Sequence, residues 1–195
     1  METTFDINPI FGLVSPEVYE KYTDYLTRHI KYVQEYSRKF GVNEEQLAKH
    51  DASKYSKLEF VSYANYFYGD TENWLDDYEL AWLHHLKFNP HHWNYWVLYP
   101  NMKEEGSSSL QIGKKLNVIE MPEMYVREML ADWMGAGKAI TGSEDIEEWI
   151  VDNYTNILLH PNSIQNLNNL MVEQHFSKAV CSLDFKEAYN NALSM

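Results

Sequence analysis

Residues 15–41 read SPEVYEKYTDYLTRHIKYVQEYSRKFG, and the fold class is decided on this run. Ser15 followed by Pro16 is the pairing expected where a helix begins, because the first turn leaves its N–H groups unbonded and proline has none to lose. Val18, Tyr22, Tyr25, His29, Tyr32, Tyr36 and Phe40 then recur at three- and four-residue spacing, the period that places side chains on one helical face. Gly41 closes the run. A lone histidine thus stands in a stripe made mostly of tyrosines.

Working outward, Asn43 can cap a short helix through Leu47 that delivers His50 and Asp51 at its end, and Ser56 can cap another through Tyr68. Gly69 and Asp70 mark a turn. A further helix is predicted from Thr71 through Trp74, Tyr78, Trp82 and His85, ending before Pro90, whose ring disfavours helix in the residue ahead of it. The segment His91 to Trp96 follows at once. From residue 100 to 121 periodicity gives way to Lys103, Glu104, Glu105, Gly106 and serines, the composition of a mobile loop and a candidate lid. Helical spacing resumes at Met124 and runs past Asp132 to Gly135 or Gly137. Ser143 with Glu147 is a start signal for another helix, and a last one is expected after Pro161. No repeat and no alternating apolar segment long enough for a sheet is present, so the fold is read as all-α, a compact helical bundle.

The chain has 195 residues, 45% hydrophobic and 23% charged, a balance that suits one globular domain spanning 1–195. Its formal net charge of -13 repels a phosphate backbone, so duplex nucleic acid is not an expected partner. A bound dication can still reverse the potential inside a pocket and admit a small anion. Cys181 is the sole cysteine, so no intramolecular disulfide forms. With neither a signal-like start nor a membrane-length apolar run, the expected location is cytoplasmic, with no membrane partner.

Eight histidines in 195 residues would give only about a third of one adjacent pair by chance, yet His84–His85 and His91–His92 both occur. Imidazole is the commonest transition-metal ligand, and carboxylates beside it favour harder ions such as Mn or Fe. The doublets lie on either side of a helix break, so the end of one helix and the start of the next can face one centre. Asp132 falls on an apolar face between Leu130 and Trp133, where a buried carboxylate needs a cation; Lys138, Arg127 or a metal would serve. Singly, each residue has an ordinary explanation: His29 as a core histidine bonded to a tyrosine, His50–Asp51 as a helix end beside a cap, Lys54 as an exposed lysine. Together they are satisfied by one dinuclear centre.

The order His29, His50–Asp51, further histidines, then Asp132 resembles the HD-domain superfamily of metallohydrolases. The run His50, Asp51, Ala52, Ser53, Lys54 is similar to its signature of an HD pair followed by small residues and a lysine. AWLHHLKFNPHHWNYW (81–96), MPEMYVREMLADWMGAGKAITG (121–142) and EEWIVDNYTNILLHP (147–161) resemble an HD-like family of bacterial, phage and viral genomes. The resemblance implies two divalent ions (Mn, Fe, Co or Zn) held by His29, His50, Asp51, His85, one or both of His91 and His92, and Asp132, with Asp51 bridging. His85 is preferred to His84 as nearer the helix end. A Gly-Tyr-Pro segment after the second doublet is lacking, so the cyclic dinucleotide substrate of HD-GYP proteins is not carried over.

The implied chemistry is hydrolysis of a small phosphate ester, a nucleotide being one candidate, by attack of metal-bound hydroxide. Lys54 would neutralise the phosphoryl oxygens, and His84 or an unused histidine of the second doublet would protonate the leaving group. Tyr25, Tyr32, Tyr55, Trp93 and Trp96 are candidates for an aromatic wall against the substrate. Two rivals share the same ligands: an HD-type diiron oxygenase, and a non-catalytic nucleotide-binding module stapled by metal.

Overall fold

The Ser15 Oγ accepts from the Val18 N–H and starts helix α1, Pro16–Lys39, as its sequence predicts. The protein is described here from a computed structural model, over residues 12–98, 117–186 and 190. Asn43 caps α2 (Glu44–Leu47) through the Gln46 N–H, and Ser56 caps α3 (Lys57–Tyr68) through the Glu59 N–H. Between them a 3-10 turn, Ala52–Tyr55, carries the chain past His50 and Asp51. A second 3-10 turn, Glu72–Trp74, leads into α4 (Leu75–Phe88), and a third, Trp93–Trp96, follows the Pro90 break.

Two short strands then pair antiparallel, β1 (Val97–Leu98) with β2 (Asn117–Val118), with Val97 opposite Val118 and Leu98 opposite Asn117. The end of the segment predicted as loop is therefore held in a hairpin-like ladder. Residues 100–116 of the candidate lid lie outside the described residues. Helix α5 runs Glu123–Thr141, beyond the stop predicted at Gly135 or Gly137. Both glycines sit inside it as points of close approach: a Cβ at Gly135 would lie 2.5 Å from Val33 Cγ2, and one at Gly137 2.7 Å from Ile146 Cγ2. The helix stops instead at Gly142, whose φ of 82° places it in the left-handed region. Helix α6 (Glu147–Asn153) begins four residues beyond Ser143; the Asp145 carboxylate, not Ser143, accepts from the Glu147 N–H. A 3-10 turn, Tyr154–Asn156, then α7 (Pro161–Glu173) and the short α8 (Lys178–Cys181) complete the described elements. The fold is all-α, with the two-residue strands a minor addition. No helix among the described residues is long and apolar enough to cross a membrane.

α1 packs most extensively against α5, and its other side meets α3. This produces two apolar clusters along one helix. Val18, Tyr22 and Leu26 of the N-terminal half pack with Phe60, Ala64 and Ala81. Val33, Tyr36 and Phe40 of the C-terminal half pack with Met129, Leu130, Leu167 and neighbours. His29 falls between Leu26 and Val33, at the seam where neither cluster fills the interior with hydrocarbon. Buried polar groups gather there.

Candidate metal centre

Neighbouring side chains on a regular helix diverge by about 100°, so His50 and Asp51 can meet at one centre only if the backbone turns between them. It does so at Asp51, which adopts φ 55° and ψ 19°, left-handed geometry that is uncommon outside glycine and concentrated at functional sites. The turn sends the Asp51 carboxylate inward, where it is fully buried.

Around it stand residues from five segments. Asp51 Oδ2 lies 2.8 Å from His29 Nε2 of α1 and 2.6 Å from Lys54 Nζ. Asp51 Oδ1 lies 3.4 Å from His85 Nε2 at the end of α4 and 3.5 Å from His91 Nε2 just after it. Asp132 of α5 closes the opposite side, its Oδ1 3.3 Å from His29 Nε2 and 3.6 Å from His50 Nε2. His92 Nε2 is 2.9 Å from His85 Nε2. The cations considered for Asp132 are engaged elsewhere: Arg127 bonds Glu123 and the Phe40 carbonyl, and Lys138 reaches Glu144.

Two groups of four ligand atoms result, each drawn within 4.8 Å: His29, His50, Asp51 and Asp132; and Asp51, His85, His91 and His92; a group of three, His50, His91 and Glu128, adjoins them. Asp51 belongs to both. All the sequence-predicted ligands converge, and both members of the second doublet take part. Whether these residues suit ions can be tested on their unmet bonding. Buried polar atoms are almost always hydrogen-bonded, yet His50 Nε2, Asp51 Oδ1 and His91 Nε2 have no hydrogen-bond partner among the described residues, and all three face the centre of the cluster. A mixed imidazole and carboxylate donor set suits Mn, Fe, Co or Zn. The residues fit such ions.

The local electrostatics show how strongly the groups interact. Burial opposes the charge on His50, but Asp51, Asp132 and Glu128 outweigh it and hold its pKa at about 10. Burial, then the charge on His50, pushes His91 down to about 3. Burial likewise opposes ionisation of Asp51, yet Lys54 and His50 keep its carboxyl well below the usual range.

Two further carboxylates escaped the sequence reading. Glu128, one turn before Asp132 on α5, places Oε1 2.8 Å from His50 Nδ1. Glu59, buried on α3, places Oε2 2.9 Å from His85 Nδ1 and accepts from Ser53 Oγ at 3.0 Å. Carboxylates on the far nitrogen of a ligating imidazole fix its tautomer and ring orientation. Both could have been found by the signal that marked Asp132: an acidic residue on the apolar face of a helix.

Several predicted substrate and catalytic residues are placed differently. His84 was expected near the leaving group, but its Nδ1 lies 2.6 Å from Glu59 and its ring stacks on Phe88, on the outer side of α4. It is one residue, about 100° around the helix, away from the face that His85 presents. Tyr32 packs against the core and under Lys138 instead of facing substrate, and Trp96 donates to the Pro90 carbonyl. A cavity of about 560 Å³ opens beside the cluster, and Tyr25, Lys54, Trp82, Trp93, Trp133 and Trp149 line it. Of the expected wall, Tyr25 and Trp93 are there; Tyr32, Tyr55 and Trp96 are not. Helix α5, running on through its glycines, contributes Trp133, and α6 contributes Trp149; their rings are 5.2 Å apart.

A family model described as a family of unknown function (DUF5662) matches residues 18–173. The chain belongs to this family. No curated protein and no solved structure matches it. The DUF5662 region contains every member of the cluster, from His29 to Asp132, together with Glu59, Glu128 and the residues of the aromatic cavity. The family description carries no function.

Proposed function

We propose that this chain is a metal-dependent phosphohydrolase of the HD type that acts on a small phosphate ester. The observation that carries the proposal is that Asp51 is shared by two four-residue ligand groups whose members open onto a cavity. His29, His85, His92 and Asp132 themselves line it, so a substrate-sized molecule reaches the ligands directly. A purely structural site is usually closed by protein ligands on all sides, which weighs against the metal-stapled module.

Divalent ions held there would polarise a phosphoryl oxygen and lower the pKa of water toward neutrality. The chain's own residues supply the rest. Lys54 lies at the cavity wall with its ammonium on Asp51, positioned to neutralise phosphoryl oxygens as negative charge builds on them. Trp82, Trp93, Trp133 and Trp149 provide apolar surface for the organic part of the ester and exclude water around it. With His84 directed to Glu59 and both His91 and His92 in a ligand group, proton delivery to the leaving oxygen falls to solvent in the cavity.

The test is turnover by the full chain, stripped with chelator and reloaded with Mn, Fe, Co or Zn, on aryl phosphates and a panel of nucleoside monophosphates. Phosphate release without oxygen supports the hydrolase. Oxygen consumption by the iron-loaded protein, with no phosphate released under any metal, replaces it with the diiron oxygenase that the same donors would serve.

A further inference from the structure

Glu128 stands in a position that the two-ion arrangement does not by itself require. It is 2% exposed, on α5, one helical turn before the candidate ligand Asp132. Its Oε1 lies 2.8 Å from His50 Nδ1 and 3.5 Å from His91 Nδ1. Those two imidazoles are neighbours, with ring centroids 4.4 Å apart. In the two groups of four they are apart, His50 with His29 and Asp132, His91 with His85 and His92, and a third group of three joins both of them to Glu128 itself. On each ring the opposite nitrogen, Nε2, is the buried atom without a hydrogen-bond partner among the described residues. One carboxylate oxygen therefore stands behind a ligand of each ion.

We propose that Glu128 is a positioning residue common to both metal sites, setting the tautomer and orientation of His50 and His91 together so that the two sites gain or lose affinity as a unit. The proposal rests on the metal-dependent reading above and adds to it a coupling that shared ligation by Asp51 does not imply. Both imidazoles must carry hydrogen on Nδ1 and present a bare Nε2 inward if each is to bond Glu128 and a cation at once. Carboxylates that hold ligand histidines this way generally affect metal affinity about 10- to 100-fold. Glu128 is itself held: its Oε2 accepts from Gln46 Nε2, which also reaches the Met124 carbonyl at 3.3 Å. Glu59 is the internal contrast. It bonds His85, and on its other oxygen His84, which lies in neither group. It supports one site alone.

The two carboxylates thus predict different patterns. Full-length protein is stripped with chelator and titrated with Co²⁺ or Zn²⁺ against a competing chelator, with far-ultraviolet circular dichroism recorded on each variant. The wild type should take up two ions. Glu128→Ala should weaken both affinities by about 10- to 100-fold, whereas Glu59→Ala should weaken one and leave the other within about twofold. Glu128→Gln keeps the test in force if the alanine variant fails to fold. Its amide oxygen can still accept from the imidazoles, and Gln46, whose Oε1 has no partner, can turn its amide to receive the new N–H. That variant should show a smaller loss, equal at the two sites. Loss at one site only, or at neither, in a folded Glu128 variant overturns the proposal. A wild type that binds no ion, or only one, removes the reading beneath it instead.

Discussion

Gly135→Ala tests whether the spacing of α1 and α5 sets the geometry of the centre. The added methyl would sit 2.5 Å from Val33 Cγ2, 2.8 Å from Val33 N and 3.1 Å from Val33 Cα. Ordinary carbon contacts need about 3.5–4.0 Å, so relief requires the helices to part by roughly 1 Å. A rotamer change at Val33 clears the first contact but not the two to backbone. Overpacking of this kind costs about 1–3 kcal/mol, and the gain in helix propensity on replacing glycine by alanine returns about 1 kcal/mol. Because backbone is what blocks the methyl, the upper end applies and the net loss should be about 2 kcal/mol. For a chain of this length that is a fall in Tm of about 4–8 °C. His29 lies one turn before Val33 on α1, and Asp132 lies almost one turn before Gly135 on α5; His29 Nε2 and Asp132 Oδ1 are 3.3 Å apart. Parting the helices therefore widens the His29, His50, Asp51, Asp132 group while leaving His85, His91 and His92 in place. Calorimetry and competitive metal titration of the variant should show a lower Tm and one weakened ion. A variant that is about 1 kcal/mol more stable, as propensity alone dictates, and that binds both ions normally would refute the reasoning.

Lys54→Met should lower kcat on a phosphate ester by about 100- to 1,000-fold while metal content, read by elemental analysis, stays at the wild-type level. Addition of Zn²⁺ or Mn²⁺ to stripped protein at about 100 times Kd should stabilise it by about 2.7 kcal/mol, a rise in Tm of roughly 5–11 °C; an unchanged melting curve would argue against the centre. Trp149→Ala removes a half-exposed ring from the cavity and should raise KM for an aryl phosphate by about 10-fold, corresponding to about 1.4 kcal/mol, with kcat little altered. His84→Ala should leave turnover within about threefold, since the side chain faces Glu59 and not the cavity; a loss of two orders of magnitude would restore it as the proton donor.

How the donors meet was only partly legible in the residues. Helical spacing, caps and proline breaks are local, so α1, α2, α3 and α4 begin and end, and α7 begins, close to where their sequences place them, although α7 is not the last helix, since α8 follows it. The stop assigned to Gly135 or Gly137 failed because a glycine that admits a neighbouring helix looks, in one dimension, like one that ends its own; Val33 and Ile146, which need the space, are about 100 and 10 residues away.

The ligand types were likewise readable, since histidine doublets and a carboxylate on an apolar stripe are anomalies visible without coordinates. Which face each doublet presents was not. His84 and His85 differ by one helical step, and only the packing of α4 on α3 sets His85 between Asp51 and Glu59 and leaves His84 on Glu59 alone. Glu59 and Glu128 carry the same signal as Asp132, but which imidazole each of them meets was not legible. The sequence by itself determined an all-helical chain with an excess of histidine and carboxylate donors, because both depend on residue type and short-range period. Tertiary structure alone decided that Asp51 turns inward at a left-handed backbone, that it is shared between two groups, and that Glu128 stands behind both, because those are distances between atoms on elements far apart in the chain.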